Sequence, residues 1–205
     1  MARTLFNKLQ TLRSELLIGS AYFVPRDKAI EAVKDLQARG VRVRVLTNSL
    51  ASNDVVAAHA GYAKRREQLI RSGVELYEYR SDSRVSKTRA YRGDSRAALH
   101  TKAIVFDRES VFIGSYNLDP RSSSINTEAG LYVESPELAG QVAAYLDEGV
   151  RPENSYRVLL DENGDLYWVT EIDGREVRYD QEPETTFGQR FMSGFIMLLP
   201  VEHQL

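Results

Sequence analysis

One segment combines residue types that could do chemistry at a telling spacing. His100-Thr101-Lys102 is followed by Asp107 and then by Gly114-Ser115-Tyr116-Asn117, giving the pattern H-x-K-x4-D-x6-G-S-x-N. On a strand, residues two apart share a face. His100 and Lys102 therefore project to one side and pair a potential nucleophile or acid/base with a fixed cation, the combination a phosphate group needs. Gly114 permits close backbone approach, and Ser115 and Asn117 add neutral donors. Asp107 has the opposite parity to His100 and is expected to support the site rather than touch a phosphate. Glu128 falls on the next predicted strand. A carboxylate behind a catalytic histidine would fix its tautomer and stabilise its charged form, although a solvated strand-start glutamate is as good an account from sequence alone.

These residues need elements to hold them, and the chain predicts a repeating α/β order. Residues 4–16 have apolar side chains at helical spacing, and 15–24 read as a strand ended by Pro25. A helix is predicted over 27–39 with Gly40 as its stop, then a strand over 41–47, a helix over 54–72 and a strand over 74–79. Strand–helix–strand–helix–strand argues for parallel neighbours with right-handed crossovers. Strands over 100–106, 111–114 and 128–133 and a helix over 136–149 complete this part. Beyond Arg151-Pro152 the composition shifts. Residues 156–160, 166–171 and 176–179 read as a small antiparallel meander, and 186–199 as a last helix. The expected organisation is a linker helix (1–16), a main α/β domain (17–150) and a C-terminal meander-plus-helix appendage (151–205).

Composition narrows the possibilities. The 205 residues carry 27 Lys+Arg and 29 Asp+Glu, with 42% hydrophobic content, ordinary for a soluble globular chain. There is no cysteine, which excludes disulfides, thiolate catalysis and cysteine metal sites. The three histidines, His59, His100 and His203, are too scattered for a zinc site, and no metal or cofactor is expected. No apolar stretch reaches about 18 residues, and the N-terminus does not read as a secretory signal. The net charge of −2 hides an asymmetry: residues 151–205 hold 5 basic and 11 acidic residues, leaving +4 to the first 150. The run from Arg80 to Ala98 has six cations against two carboxylates, which would suit an anionic partner. A solvated loop is the plainer account of such a run.

The H-x-K-x4-D pattern with G-S-x-N resembles the HKD motif of the phospholipase D superfamily. The longer run Gly114–Leu131 (GSYNLDPRSSSINTEAGL) resembles the bacterial cardiolipin synthase branch more than the nuclease branch, and most closely the C-terminal half of its C type. Ser20–Pro25 (SAYFVP), Thr47–Tyr62 (TNSLASNDVVAAHAGY) and Gly73–Arg80 (GVELYEYR) agree. The resemblance implies a phospholipase D-like mixed sheet flanked by helices and a metal-independent phosphodiester exchange through a phosphohistidine. His100 is then one of two catalytic histidines. Lys102 and Asn117, helped by Ser115 and Gly114, hold the phosphate oxygens, Glu128 orients the histidine and Asp107 supports. Asn48, Ser49, His59 and Tyr22 would line the substrate pocket, with turn, helix-surface and core roles as their alternatives. The implied substrates are phosphatidylglycerol and a second phospholipid, handled peripherally on an anionic membrane surface at the cytoplasmic face of the inner membrane. Nucleic acid is not the expected partner. One departure matters: this chain has a single HKD motif, so a second half is needed, in cis or by homodimerisation. The alternative reading is a homodimeric phospholipase D-like phosphodiesterase or nuclease.

Overall fold

The computed structural model describes residues 2–82 and 98–198. Nine strands form one sheet in the order β6-β5-β4-β1-β2-β3-β7-β8-β9. Strands β1 (Glu15–Ser20), β2 (Arg42–Asn48) and β3 (Glu75–Tyr79) are parallel, joined through helix α2 (Asp27–Ala38) and the pair α3 (Val56–Ala63) and α4 (Arg66–Arg71). Strands β4 (Lys102–Phe106), β5 (Ser110–Gly114) and β6 (Gly130–Glu134) extend the β1 edge in antiparallel fashion. The C-terminal strands β7 (Ser155–Leu160), β8 (Leu166–Ile172) and β9 (Arg175–Tyr179) do form a meander. It is not a separate sheet, because β7 pairs with β3 and continues the main one. The expected boundary at residue 150 falls at the end of a helix, and the chain beyond it adds to the same sheet.

Strand alternation divides the core. Leu16, Ile18, Val43, Val45, Ile104 and Phe106 face the side covered by α2 and α4, together with α1 (Ala2–Leu9). Leu17, Leu46, Val105 and Val111 face the other side, where Ala139, Ala143 and Leu146 of α6 (Pro136–Gly149) pack. The small alanines let that helix lie close to the sheet. Ser135 caps it and Pro136 opens it, a start signal readable in sequence.

Several boundaries differ from expectation for identifiable reasons. Helix α1 ends at Leu9 rather than running to residue 16, because the Asp107 carboxylate captures the amides of Arg13, Ser14 and Glu15 and turns the chain into β1. The helix expected over 54–72 is two helices. At Lys64–Arg65 the bonding shifts from Lys64 N to Ala60 O towards a tighter Arg65 N to Tyr62 O turn, and Arg66 is aimed into the core. A short helix, α5 (Pro120–Ser124), was not anticipated. The last helix, α7 (Phe187–Met197), carries a capping box at Thr186 and Gln189. It packs on α3 and leaves Phe187, Phe191, Phe195 and Leu198 exposed.

Candidate active site

The sheet brings the chemistry-bearing residues to one end. The parallel strands β1 to β3 finish there, β4 begins there, β5 finishes beside it, and β6 begins opposite. Lys102 pairs across to Ser20 at the end of β1, and Gly114 pairs with Gly130 at the start of β6. Ligands of α/β sheets commonly bind at this carboxyl end of the parallel strands.

His100 is exposed, one step outside β4, and Lys102 follows on the same face. The Lys102 Nζ donates to the His100 carbonyl at 3.1 Å, which ties the cation to the histidine backbone. Lys102 makes no ion pair among the described residues. Partial burial lowers its pKa, while the carboxylates of Glu128, Asp119 and Asp54 act in the opposite direction. Asn117 is buried on the neighbouring turn. Its Oδ1 accepts from Tyr22 N at 3.4 Å, and its Nδ2 has no hydrogen bond among the described residues. The Asn117 amide, the Lys102 ammonium and His100 thus lie at one sheet end with no ion pair among the described residues, an arrangement able to receive an anion.

Glu128 is held on the far side of this group. Its Oε2 accepts from Ser115 Oγ, and its Oε1 accepts from Asn126 Nδ2 at 3.2 Å. The Ser115 bond holds its carboxyl below the usual range, so it is ionised at neutral pH. Among the described residues the His100 ring makes no hydrogen bond to it. Ser115 Oγ also accepts from Ala129 N at 3.0 Å, so this hydroxyl closes the β5–β6 junction. Gly114 serves the same junction. A Cβ there would lie 2.3 Å from the Ala129 carbonyl oxygen, so the glycine is required by the neighbouring strand.

Asp107 stands at the opposite end of β4. It accepts hydrogen bonds of 2.8–2.9 Å from the amides of Arg13, Ser14 and Glu15 and from Ser14 Oγ. It fixes β1 against β4 and touches nothing at the His100 end.

The proposed pocket residues separate into two groups. Tyr22 reaches the site's rim, where its hydroxyl donates to Asp54 Oδ1 at 2.7 Å. Burial and the Asp54 carboxylate push its pKa up to about 12, so it stays protonated. Asn48, Ser49 and His59 turn inward instead, correcting the expectation that they face substrate. Asn48 spends its amide on the backbone of Ala21 and Leu99. Ser49 and Ser52 share a 3.0 Å hydroxyl contact. His59 is fully buried, with Nε2 3.1 Å from Glu182 Oε1. Arg66 lies between Glu182 and Glu78, and Trp168 and Tyr62 also donate to Glu78. A buried ion cluster of this kind joins α3 and α4 to β8 and the segment leading to α7.

Sequence reasoning missed Asp54 and Asp119. Asp119 caps α5, accepting from Ser122 N at 2.6 Å, and its charge also acts on Lys102 and Tyr22. The Asp-Pro pair ahead of α5 is a helix-start signal that could have found it. Arg80, counted with the basic run, is buried and paired with Asp82, Thr170 and the Glu171 carbonyl. Residues 83–97 of that run lie outside the described residues, as does His203.

The architecture is the phospholipase D fold. Structures sharing it include Nuc from Salmonella typhimurium, a phospholipase D family member (TM-score 0.56, 19% identity, 76% of this chain and 91% of that one). Another is phosphatidylserine synthase from Haemophilus influenzae Rd KW20 (TM-score 0.60, 16% identity, all of this chain and 44% of that one). Residues 5–149 match the family described as cardiolipin synthase, PLD-like domain, and the chain belongs to that family. Cardiolipin synthase C of Escherichia coli (strain K12) is 38% identical over 98% of this chain and 43% of its own length. An uncharacterized protein of Helicobacter pylori (strain J99) is 30% identical over 94% of this chain and 38% of its own. The chain therefore spans about two fifths of the curated relatives it matches.

Proposed function

We propose that this chain is the C-terminal catalytic half of a phosphatidyltransferase of the cardiolipin synthase type, completed by a second HKD half. The observation that carries the reading is the joint placement of His100, Lys102 and Asn117 at one sheet end, with Lys102 tied to the His100 carbonyl and the Asn117 Nδ2 unused. His100 is one of two histidines. The nucleophilic one attacks phosphorus, forming a P–N bond as the P–O bond to the leaving alcohol breaks. The other gives that alcohol its proton. An incoming alcohol then attacks phosphorus, the P–N bond breaks, and the second histidine takes the new proton. Lys102 and the Asn117 amide stabilise the charge that grows on the non-bridging oxygens. In this reading ionised Glu128 orients the charged imidazole once substrate is bound, and Ser115 holds it until then.

The second half comes either from the same longer polypeptide or from another copy. The single HKD motif and the 43% coverage of a cardiolipin synthase support the first arrangement. The proposed substrates are phosphatidylglycerol and a second phospholipid, met peripherally at the cytoplasmic face of the inner membrane. Among the described residues no helix is long and apolar enough to cross a membrane. The second reading, a homodimeric phosphodiesterase or nuclease, draws on one fact: this chain covers 91% of Nuc, so the two are of similar extent.

The test incubates the purified chain, beside His100→Ala, with phosphatidylglycerol and phosphatidylethanolamine vesicles in chelator, with and without an added second HKD half. Lipid products are read by mass spectrometry. Cardiolipin that needs both halves and an intact His100 is the expected result. Cardiolipin from the chain alone would replace the half-enzyme by a self-assembled site. Absence of lipid product in both arms, with cleavage of a nucleic acid or simple diester, would move the function to the second reading.

A further inference from the structure

The sheet face that carries Lys102 also floors a cavity of about 650 Å3. It opens to solvent between α1 and α2, where Phe6 and Ala29 on its lining are exposed. It falls within the range of sites that hold small-molecule ligands. Ile18, Ile104 and Phe106 form its floor, Val33 of α2 one wall, and Phe6 of α1 another. Such a hydrocarbon lining offers water almost no hydrogen bonds and favours an apolar guest.

We propose that this cavity holds one alkyl chain of the phospholipid whose phosphate is bound by Lys102, an assignment that rests on the phosphatidyl-transfer reading above. Two observations select this occupant. First, the cavity adjoins the site: Tyr116 and Leu118, the two neighbours of Asn117, line it. Lys102 and Ile104 are successive residues on one face of β4, about 7 Å apart along the strand. Asp119 borders the cavity while its charge acts on Lys102. A phosphate at Lys102 therefore has the cavity within reach of its ester substituents. Second, the lining is overwhelmingly hydrocarbon, which suits an alkyl chain rather than a polar group.

The test is calorimetric binding of lysophosphatidylglycerols with 8-, 10- and 12-carbon chains, below their micelle concentrations, to the full chain. Affinity should rise roughly tenfold per two-carbon step, as burial of methylenes requires. Val33→Trp and Ala29→Phe, which fill the cavity from α2, should flatten that rise and weaken the 12-carbon ligand at least tenfold. Ala29→Phe carries the test if the bulkier change prevents folding, which a melting curve decides. Equal affinities across the series, or wild-type affinity in a folded filled variant, would overturn the proposal. Laurate binding as tightly as the 12-carbon lysolipid would overturn the assignment to a phospholipid chain. Lys102→Ala reads the phosphate separately and should lower all three affinities by about the same factor, near tenfold. If it lowers none while the chain-length slope persists, the phosphate reading fails and an alkyl-chain cavity stands.

Discussion

Asn48 holds Leu99 by both of its backbone groups. Leu99 N donates to Asn48 Oδ1 at 2.8 Å, and Asn48 Nδ2 donates to the Leu99 carbonyl at 3.0 Å while also reaching the Ala21 carbonyl at 3.0 Å. The clamp lies one residue before His100 and joins the ends of β1 and β2 to the entry of β4. Asn48 is thus a positioning residue. Asn48→Ala should leave three buried backbone groups unpartnered and destabilise the fold by about 3 kcal/mol. Urea unfolding measures this directly. Asn48→Asp should restore only the Leu99 N–H bond and lie between the two; an Ala variant as stable as wild type would remove the clamp.

Asp107 makes the complementary clamp at the far end of β4. Burial alone would raise its pKa, but hydrogen bonds from the Glu15, Ser14 and Arg13 amides and the Ser14 hydroxyl outweigh it and hold the carboxyl below its usual range. A carboxyl depressed in the folded state adds stability above its unfolded pKa of about 3.9, and that stability is lost as pH falls through the folded value. Asp107→Asn should therefore cost about 1–2 kcal/mol at pH 7. The gap from wild type should close as the pH drops below roughly 4. Unfolding curves at pH 7 and pH 3 give both numbers, and a pH-independent gap would contradict the charge-based account.

What could be read in advance followed local physics. The helix over 136–149 and the strands over 100–106 and 111–114 were expected where the structure has α6, β4 and β5. Parity alone separated Asp107 from His100 and Lys102, and the structure puts them at opposite ends of β4. What escaped was long-range. No local signal says that β7 pairs with β3, or that Glu182 meets His59 across 123 positions. For that reason His59 read as a pocket residue, when it faces an ion cluster assembled from four elements. Asn48 was singled out at the correct sheet end, but its burial depends on Leu99, 51 residues on.

The ion cluster itself makes a sharp prediction. Arg66 is buried between Glu78 and Glu182, and stacks its guanidinium near Tyr62 and Trp168. Burial pushes the Glu78 carboxyl up, and Arg66 is the main influence holding it down. Arg66→Met keeps much of the side-chain volume yet strands two carboxylates, and should cost about 3–5 kcal/mol. Adding Glu78→Gln and Glu182→Gln removes the stranded charges and should recover a large part of that loss. Thermal denaturation of the single and triple variants decides it. Equal destabilisation would mean that packing around Arg66, rather than charge, holds the C-terminal strands and α7.

Lys102 yields the prediction closest to chemistry. In the proposed transfer its ammonium must be charged to stabilise a phosphorane-like transition state, and burial lowers its pKa from the ordinary lysine value. Phosphatidyl transfer by the completed two-histidine site should accordingly decline on the alkaline side as Lys102 loses its proton. Lys102→Ala should lower kcat about 100- to 1,000-fold, the usual cost of removing one preorganised donor to a developing oxyanion. Lys102→Arg keeps a charge at every accessible pH, but its planar fork cannot repeat the single bond to the His100 carbonyl and an in-line contact to phosphate together. It should recover part of the rate and move the alkaline limb upward. Rate–pH profiles of wild type and Lys102→Arg separate the two effects. A limb that stays in place in the arginine variant would assign the alkaline titration to another group, such as Tyr22, whose proton is held by burial and Asp54.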